Sequence, residues 1–268
     1  MSSPILIDGI SSDGRIEVTD SSVLRGDGCF EVMRVYDGVP FAVDRHLERL
    51  GRSARALDIS LPNREEIIDW VRRVIDGQSD GLVRIIVTRG STPPTGEAEP
   101  KVIVFSHGFE RVVGSVRLMP VVSPWHGAGV DWALAGAKTL SYAPNLAAIR
   151  EAEAGGYDDA LLVSRDGGIL EGPTFSVAWV IDGSIETPSL DLGILDSITR
   201  QIVIEEAGEC GLALTEGQWQ LDRLTEATEV MAISTIREVQ PVSAIGQTLF
   251  DSGEVTALLA ERFAQRRG

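Results

Sequence analysis

The composition of this 268-residue chain is that of a folded protein with an acidic surface. Hydrophobic residues make up 43% and charged residues 24%, which is ordinary for a globular protein that buries a large core in one or two domains. The formal net charge is -16, and a surface of that sign repels nucleic-acid phosphates and anionic lipids, so we expect neither as a partner.

The sequence shows no targeting segment, disulfide framework or metal site. Its N-terminal segment lacks a basic start followed by an apolar run, and no stretch reaches the roughly 18 apolar residues of a membrane helix. Cys29 and Cys210 are too few for a disulfide framework and too isolated for a zinc site. The three histidines, His46, His107 and His126, show no metal-ligand spacing. We therefore expect a cytoplasmic protein without a bound metal.

The first 110 residues predict short strands and two helices. Strands are expected in ILIDG, RIEVTD and FEVMRVYDGVPFAV, the last with a hairpin turn at Asp37-Gly38. Asp44 is expected to cap a helix over RHLERLGRSARAL, which has apolar residues on one face, and a second helix is expected after Asn63. LVRIIVTRG and KVIVFS are two more strands, joined by the loop STPPTGEAEP. Runs of strands without strict βαβ alternation predict a small α+β domain over residues 1–110.

The remainder of the chain predicts a second, larger domain. We expect an interdomain linker over residues 111–125, within which VRLMPVV is typical of a strand, and a domain over residues 126–268. Helices are expected in LAAIREAEAGG, SITRQIVIEEAGECG and VTALLAERFAQRR, and strands in DALLVS, FSVAWVIDG and EVMAIST. The fold class is therefore α+β in two domains.

Lysine is scarce in this sequence, which narrows the search for amine chemistry. Only Lys101 and Lys138 supply a primary amine; all other basic residues are arginine. Lys138 lies among small and apolar residues in ALAGAKTLSYAPN. Burial there would disfavour the ammonium and lower its pKa, as a nucleophilic lysine requires. A solvated surface lysine is the alternative interpretation.

Several polar positions could bind an anion or a heterocycle. Residues 197–199 begin a helix, where backbone N–H groups attract phosphate, although a plain helix cap is the commoner meaning. Ser234 and Thr235 follow an apolar strand. Arg49 lies opposite the apolar helix face or at its edge, and either pairs with a phosphate or lies in solvent. Glu171 follows GGIL and could keep a heterocycle nitrogen protonated, or be a turn carboxylate.

These segments occur in the order and at the spacing of one family. The chain resembles the class IV, fold-type IV pyridoxal-phosphate enzymes, which include branched-chain aminotransferases, D-amino-acid transaminases and 4-amino-4-deoxychorismate lyases. The resemblance implies pyridoxal 5'-phosphate as cofactor, a small α+β domain, a larger domain with a β-barrel-like core, and a homodimer. The matching stretches cover nearly the whole chain: RGDGCFEVMRVYDGVPFAVDRHLERLGRSA, KTLSYAPNLAAIREA, YDDALLVSRDGGILEGPTFSV, GILDSITRQIVIEEA and EVMAISTIREVQPV.

The resemblance also implies a role for each candidate residue. Lys138 is expected to be the Schiff-base lysine and the proton shuttle, and Glu171 the partner of the pyridinium nitrogen. Tyr142 is expected near the phenolic oxygen of the cofactor, although its distance from Lys138 differs by one residue from the branched-chain pattern. The other expected positions fall into two sets. The phosphate is expected at Arg49, the backbone N–H groups of Ile198 and Thr199, and the turn of Ser234, Thr235 and Ile236. The substrate is expected at Phe30, Arg84, Ile236 and Arg237.

The favoured activity is amino transfer between a small-molecule amino acid and a 2-keto acid. STIREVQPV is similar to the transaminases, whereas GDGCF, KTLSYAPN and LEGP are similar to the aminodeoxychorismate lyases, which release pyruvate and 4-aminobenzoate. D-amino-acid transaminases have Tyr at the place of Phe30 and Arg-x-His within the loop that here reads STPPTGE. A cofactor-binding relative without turnover is the remaining alternative.

Overall fold

The protein is represented by a computed structural model, which describes residues 4–91, 98–111 and 113–267. The chain divides into two compact units. The first comprises Met1–Glu110, as far as described, and Ala137–Tyr142; the second comprises Arg111–Gly136 and Ala143–Gly268, with the same restriction. Residues 92–97, most of the loop in which the D-amino-acid enzymes differ, lie outside the described residues.

The first unit is an antiparallel sheet with two long helices packed on one face. The strand order is β2-β1-β6-β5-β3-β4, and each neighbouring pair is antiparallel. Its strands are β1 (Ile5–Ile7), β2 (Ile10–Ser12), β3 (Gly28–Tyr36), β4 (Val39–Pro40), β5 (Asp80–Thr88) and β6 (Lys101–His107). Its helices are α1 (Ser21–Arg25), α2 (Val43–Ala56) and α3 (Arg64–Val74).

The two predicted helices of this unit are present, but α2 begins at Val43 with Ala42 at its N-cap, so the predicted cap at Asp44 is wrong. Asn63 caps α3 in a reciprocal capping box with Glu66, which satisfies two otherwise unpaired backbone donors. The predicted apolar face of α2 is buried in a core with alternate residues of β3, β5 and β6. Because successive strand residues point to opposite faces, the intervening residues lie on the sheet face away from the helices.

The second unit is built on a mixed sheet with the order β11-β10-β9-β12-β13-β7-β8, and β14 pairs with β13. Its pairs are antiparallel except for β10/β11, β13/β7 and β7/β8. The strands are β7 (Val116–Val122), β8 (Asp159–Val163), β9 (Ser176–Ile181), β10 (Ser184–Pro188), β11 (Leu214–Gly217), β12 (Glu229–Ser234), β13 (Glu238–Ile245) and β14 (Thr248–Leu249). The helices are α4 (Ala143–Ala154), α5 (Ile198–Glu209) and α6 (Glu254–Arg266), with 3-10 turns at Leu190–Leu192 and Leu221–Glu226.

Two segments belong to other parts of the structure than the sequence-based domain boundaries predicted. β7 occupies much of the segment 111–125, where a linker was expected, because it pairs in parallel with β8 and β13. Residues 137–142 pack with the first unit, because Leu140 N–H donates to the carbonyl of Gly28 at 2.8 Å and Thr139 forms a bridge with Cys29. This pairing attaches the Lys138 segment to the start of β3.

Within the described residues, none of the helices combines the length and hydrophobicity needed to cross a membrane. The same residues contain no group of three or more His, Cys, Asp or Glu side chains that could hold a metal ion.

Candidate active site

The backbone of Lys138 is held by both a strand and a helix of the first unit. Its N–H donates to the hydroxyl of Ser53 at 3.0 Å, and its carbonyl accepts from the N–H of Phe30 at 3.1 Å. Ser53 is buried on α2 and Phe30 lies on β3. Hydrogen bonds to α2 and β3 therefore fix the position of the irregular segment around Lys138.

The amine of Lys138 lies against two aromatic rings. Its Nζ is 3.4 Å from the hydroxyl of Tyr142 and 4.4 Å from the centroid of the Phe30 ring. The two rings contact each other edge-on, with centroids 5.3 Å apart. The structure thus brings together three of the residues predicted from the sequence, in a half-buried setting where the lysine amine has a phenol beside it.

Arg49 lies on α2, where its side chain is buried and paired with a carboxylate. Its Nε and Nη2 donate to the two oxygens of Glu31 at 2.7 and 2.8 Å. Nδ1 of His46 lies 2.8 Å from the same carboxylate. Glu31 is fully buried, and Arg49 is only 4% exposed. The alternative that Arg49 is a solvated arginine is wrong; the phosphate-binding role stays a prediction.

Burial and charge together shift two pKa values in the cluster of Glu31, Arg49 and His46. Burial alone would raise the pKa of Glu31, but the Arg49 charge and the hydrogen bonds from Arg49 and His46 lower it from 4.5 to about 2. Burial lowers the pKa of His46 below its ordinary 6.5, and its contacts with Glu31 only partly oppose this. A group with a lowered pKa binds fewer protons when folded, so its stabilising contribution is lost as the pH falls. The His46 contribution declines below pH 6.5, and that of Glu31 declines between pH 4.5 and about 2.

We expect Glu31→Gln to destabilise the protein strongly at neutral pH. The substitution leaves the Arg49 guanidinium buried without its counter-charge, which costs about 3–5 kcal/mol of the free energy of unfolding. It also removes the part of the acid sensitivity that lies between pH 4.5 and about 2. Urea unfolding followed by circular dichroism at several pH values measures both effects.

The matched control is Glu48→Gln, whose carboxylate lies on α2, the helix that carries Arg49. Glu48 is 61% exposed and lies 3.8 Å from Arg64, so its loss should cost less than about 1 kcal/mol. Equal free energies of unfolding for the two variants at pH 7 would contradict the assigned role of Glu31.

Glu171 lies in the second unit, where a backbone amide holds its carboxylate. The N–H of Leu195 lies 3.3 and 3.2 Å from its two oxygens, and Nε2 of His126 lies 3.7 Å from Oε1. Nδ1 of His126 accepts from the N–H of Ala128 at 3.1 Å, so the neutral imidazole presents Nε2–H to Glu171. In the part of the chain that the structure describes, no arginine or lysine pairs with this carboxylate.

The second unit also contains the two backbone segments predicted to hold a phosphate. α5 begins at Ile198, and the hydroxyl of its cap, Ser197, accepts from the N–H of Arg200 at 3.3 Å. The N–H groups of Ile198 and Thr199 belong to the first turn, which has no intrahelical partners for them and carries the positive end of the helix dipole. After β12, the hydroxyl of Ser234 closes a turn over Thr235 and Ile236 by accepting from the N–H of Arg237 at 3.1 Å.

The two arginines predicted to bind a substrate carboxylate differ in their surroundings. The guanidinium of Arg237 donates to Asp159 at 2.6 Å and to Gln240 at 2.5 Å, so its charge is already balanced. Arg84 donates from Nε to the imidazole of His107 at 3.1 Å. Among the described residues it has no carboxylate partner.

Sequence reasoning missed several residues that hold these groups: Glu31, His46, Ser53, His107 and His126. One signal was available for Glu31, which occupies an inward-facing strand position between Cys29 and Met33. An acid at such a position predicts a buried basic partner. His126 and Glu171 are far apart in sequence, and no local pattern links them.

Comparison with known proteins places the chain in a family. It belongs to the class IV aminotransferase family, whose model, amino-transferase class IV, matches residues 28–245. The chain is 30% identical over 276 residues to a bifunctional aminodeoxychorismate lyase / D-amino acid transaminase of Mycobacterium tuberculosis, covering 90% of this chain and 94% of that protein.

Solved structures agree with this assignment. A fold IV transaminase from Curtobacterium pusillum is 32% identical, with a TM-score of 0.88 and coverage of 97% of this chain and 94% of that one. A branched-chain aminotransferase from Thermoproteus uzoniensis is 28% identical, with a TM-score of 0.88 and coverage of 99% and 94%. The predicted family and α+β fold class are confirmed, and the protein is a pyridoxal-phosphate-dependent enzyme of this family.

Proposed function

We propose that the protein is an amino-acid transaminase in which Lys138 is the amine that carries the cofactor. The observation that supports this most directly is the position of Nζ, 3.4 Å from the Tyr142 hydroxyl and beside the Phe30 ring. Of the two lysines in the chain, the other, Lys101, lies 3.4 Å from Asp8 in an exposed ion pair, which is a poor setting for a nucleophile.

The chemistry of each predicted residue suits one group of pyridoxal phosphate. The Glu171 carboxylate, without a cationic partner among the described residues, suits a protonated ring nitrogen. The first-turn N–H groups of Ile198 and Thr199, the turn at Ser234, Thr235 and Ile236, and Arg49 would hold the phosphate. Tyr142 would donate to the phenolic oxygen.

The cofactor supplies an electron-withdrawing ring that stabilises negative charge at the substrate Cα. The chain would supply the proton transfer, in which Nζ of Lys138 would take the proton from the substrate Cα and return it to C4′ of the cofactor. Phe30 limits access of water to Nζ on one side. Arg84 would bind a substrate carboxylate, because its charge is not balanced by a carboxylate in the described residues.

A half-reaction tests this function. Purified protein loaded with pyridoxal phosphate is mixed with single amino acids, both enantiomers of each, and its absorbance is recorded. Conversion of the bound cofactor to pyridoxamine phosphate, reversed by a 2-keto acid, is the expected result. Absence of conversion with every donor would contradict the proposal.

The second candidate is an aminodeoxychorismate lyase, favoured by the relative of Mycobacterium tuberculosis whose name includes that activity. The lyase releases pyruvate and 4-aminobenzoate without net amino transfer. Pyruvate released from aminodeoxychorismate, without pyridoxamine phosphate from any amino acid, would favour this candidate.

We further propose a homodimer in the cytoplasm. Val18, Val23 and Leu24 are 74%, 51% and 57% exposed near one another in sequence. Exposed apolar groups of this kind support burial against a second copy. Both cysteines are free thiols in the structure, which suits a reducing compartment.

A further inference from the structure

The hairpin between β12 and β13 contains a strained residue. Ser234 pairs with Glu238 across the two strands, and residues 235–237 form the turn between them. Short hairpin loops often place one residue in the left-handed region of backbone conformation, where glycine fits best because it has no Cβ. Here Glu238 occupies that region, with a φ of 55°. A residue other than glycine stays there only when its surroundings fix the backbone.

An ion pair ties Glu238 to the last helix of the second unit. Its carboxylate accepts a hydrogen bond from Arg267, at the C-cap of α6, and the two side chains are only 23% and 20% exposed. On the other side of the turn, the hydroxyl of Ser234 accepts from the N–H of Arg237 at 3.1 Å. The backbone is therefore held at both ends of the turn.

A second, more deeply buried ion pair holds Arg237, the residue before Glu238. Its Nη2 donates to Asp159 at 2.6 Å and its Nη1 donates to Gln240 at 2.5 Å. The guanidinium lies 5.0 Å from the centroid of the Phe175 ring, and Asp159 and Gln240 are each 4% exposed. A buried ion pair adds little net stability over apolar side chains, because the loss of hydration offsets the attraction. What this pair supplies is a defined position for the turn relative to β8.

The turn that is held in this way carries two adjacent N–H groups that could bind an anion. In the described part of the chain, neither the N–H of Thr235 nor that of Ile236 donates a hydrogen bond to a protein acceptor. Both residues are half-buried. Successive backbone N–H groups in a turn form a concave site for an anion. Such a site binds tightly only if its N–H groups already converge, because ordering a flexible turn opposes binding.

We propose that Asp159 and Arg237 are positioning residues, whose ion pair holds the turn at Thr235 and Ile236 in the conformation that binds the phosphate of the cofactor. This inference rests on the proposed binding of pyridoxal phosphate at this turn. In it, Arg237 acts through the backbone and touches neither the phosphate nor the reacting atoms.

The test replaces the ion pair by apolar side chains of similar size. Arg237→Met combined with Asp159→Leu removes one charge of each sign, so the net charge beside the phosphate is unchanged. Proteins commonly keep their fold when a buried ion pair is replaced in this way. Arg237→Met alone is avoided, because it would leave the Asp159 carboxylate buried and unpaired.

Binding of pyridoxal phosphate is compared with binding of pyridoxal, which lacks the phosphate. Full-length protein is freed of cofactor with hydroxylamine, and the Kd of each compound is measured by absorbance titration. In the double variant, Kd for pyridoxal phosphate should rise about tenfold, the effect of losing one hydrogen bond. Kd for pyridoxal should change less than about twofold, because a compound without a phosphate makes no use of the turn.

The matched control removes a similar ion pair from the segment that precedes β12. Arg223 donates to Glu186 at 2.8 Å and lies 5.6 Å from the centroid of the Trp219 ring. Arg223→Met combined with Glu186→Leu is therefore a comparable change, at the end of β12 opposite to the phosphate turn. Both Kd values should stay within about twofold of wild type.

A purely structural role of the Asp159–Arg237 pair predicts a different result. It would lower the melting temperature and raise both Kd values together, and that outcome would overturn the inference. An unchanged Kd for pyridoxal phosphate would overturn it as well, and so would an equal effect of the control variant.

Amino transfer is measured separately, so that this inference and the proposed function can fail independently. If wild type transfers amino groups but the double variant keeps the full preference for pyridoxal phosphate over pyridoxal, only this inference fails. If that preference falls about tenfold in the double variant but wild type accepts no amino donor, only the proposed activity fails.

Discussion

Lys138→Ala is expected to abolish amino transfer and covalent attachment of pyridoxal phosphate together. The substitution removes the amine that we propose both bonds the cofactor and moves the Cα proton, so kcat should fall by at least about 10⁴-fold. Reduction with borohydride followed by peptide mass mapping should find the phosphopyridoxyl group on Lys138 in wild type, and no labelled peptide in the variant.

Lys101→Ala is the matched control for this prediction, because it removes the other lysine of the chain. Its ion pairs with Asp8 and Glu99, at 3.4 and 3.8 Å, involve side chains that are 40%, 37% and 87% exposed, so its loss should change stability by less than about 1 kcal/mol. Trapping of cofactor at Lys101, or unchanged turnover in Lys138→Ala, would contradict the assignment.

The helices could be predicted from sequence because their signals are local. Apolar spacing and the Asn63 cap both depend on residues within one or two turns, and the structure confirms α2 and α3. Lys138 is different, since its segment has no periodicity. Its position depends on hydrogen bonds to Ser53 and Phe30, which are remote in the chain. Only resemblance to a family, drawn from several segments together, could identify it.

Helix periodicity favoured a solvated Arg49, whereas the structure buries its side chain. Its position beside the apolar face of α2 suggested a solvated arginine, because burying an unpaired charge is costly. Glu31 on β3 offsets that cost with two hydrogen bonds. The pairing joins two elements, so neither segment alone indicates it. The same holds for Arg84 and His107, which lie on neighbouring strands.

The boundaries of the two units also depend on contacts between segments that are remote in the chain. A strand at Val116–Val122 could be predicted from its apolar residues, but its membership of the second sheet depends on β8 and β13. Residues 137–142 join the first unit through pairing with the start of β3. Non-local strand pairing, rather than local preference, decides such assignments.

Glu171→Gln is expected to slow amino transfer while leaving the cofactor attached. The amide can still accept from the N–H of Leu195, now at 3.2–3.3 Å from the carboxylate, so the local fold should persist. A neutral amide cannot favour the protonated ring nitrogen as a carboxylate does. The rate of proton removal from Cα should fall about 10²–10³-fold, as when one preorganised electrostatic group is lost. Single-turnover absorbance of the half-reaction measures this rate.

A cofactor analogue makes this prediction specific to the ring nitrogen. With 1-deazapyridoxal phosphate, which has carbon in place of that nitrogen, wild type and Glu171→Gln should react at the same slow rate. Glu151→Gln, an exposed carboxylate on α4 of the same unit, should match wild type with both cofactors. If Glu171→Gln slows the reaction equally with the analogue, the carboxylate acts through the fold and not through the nitrogen. If the two proteins react at equal rates with the analogue but at very different rates with the natural cofactor, Glu171 acts through the proton on the ring nitrogen.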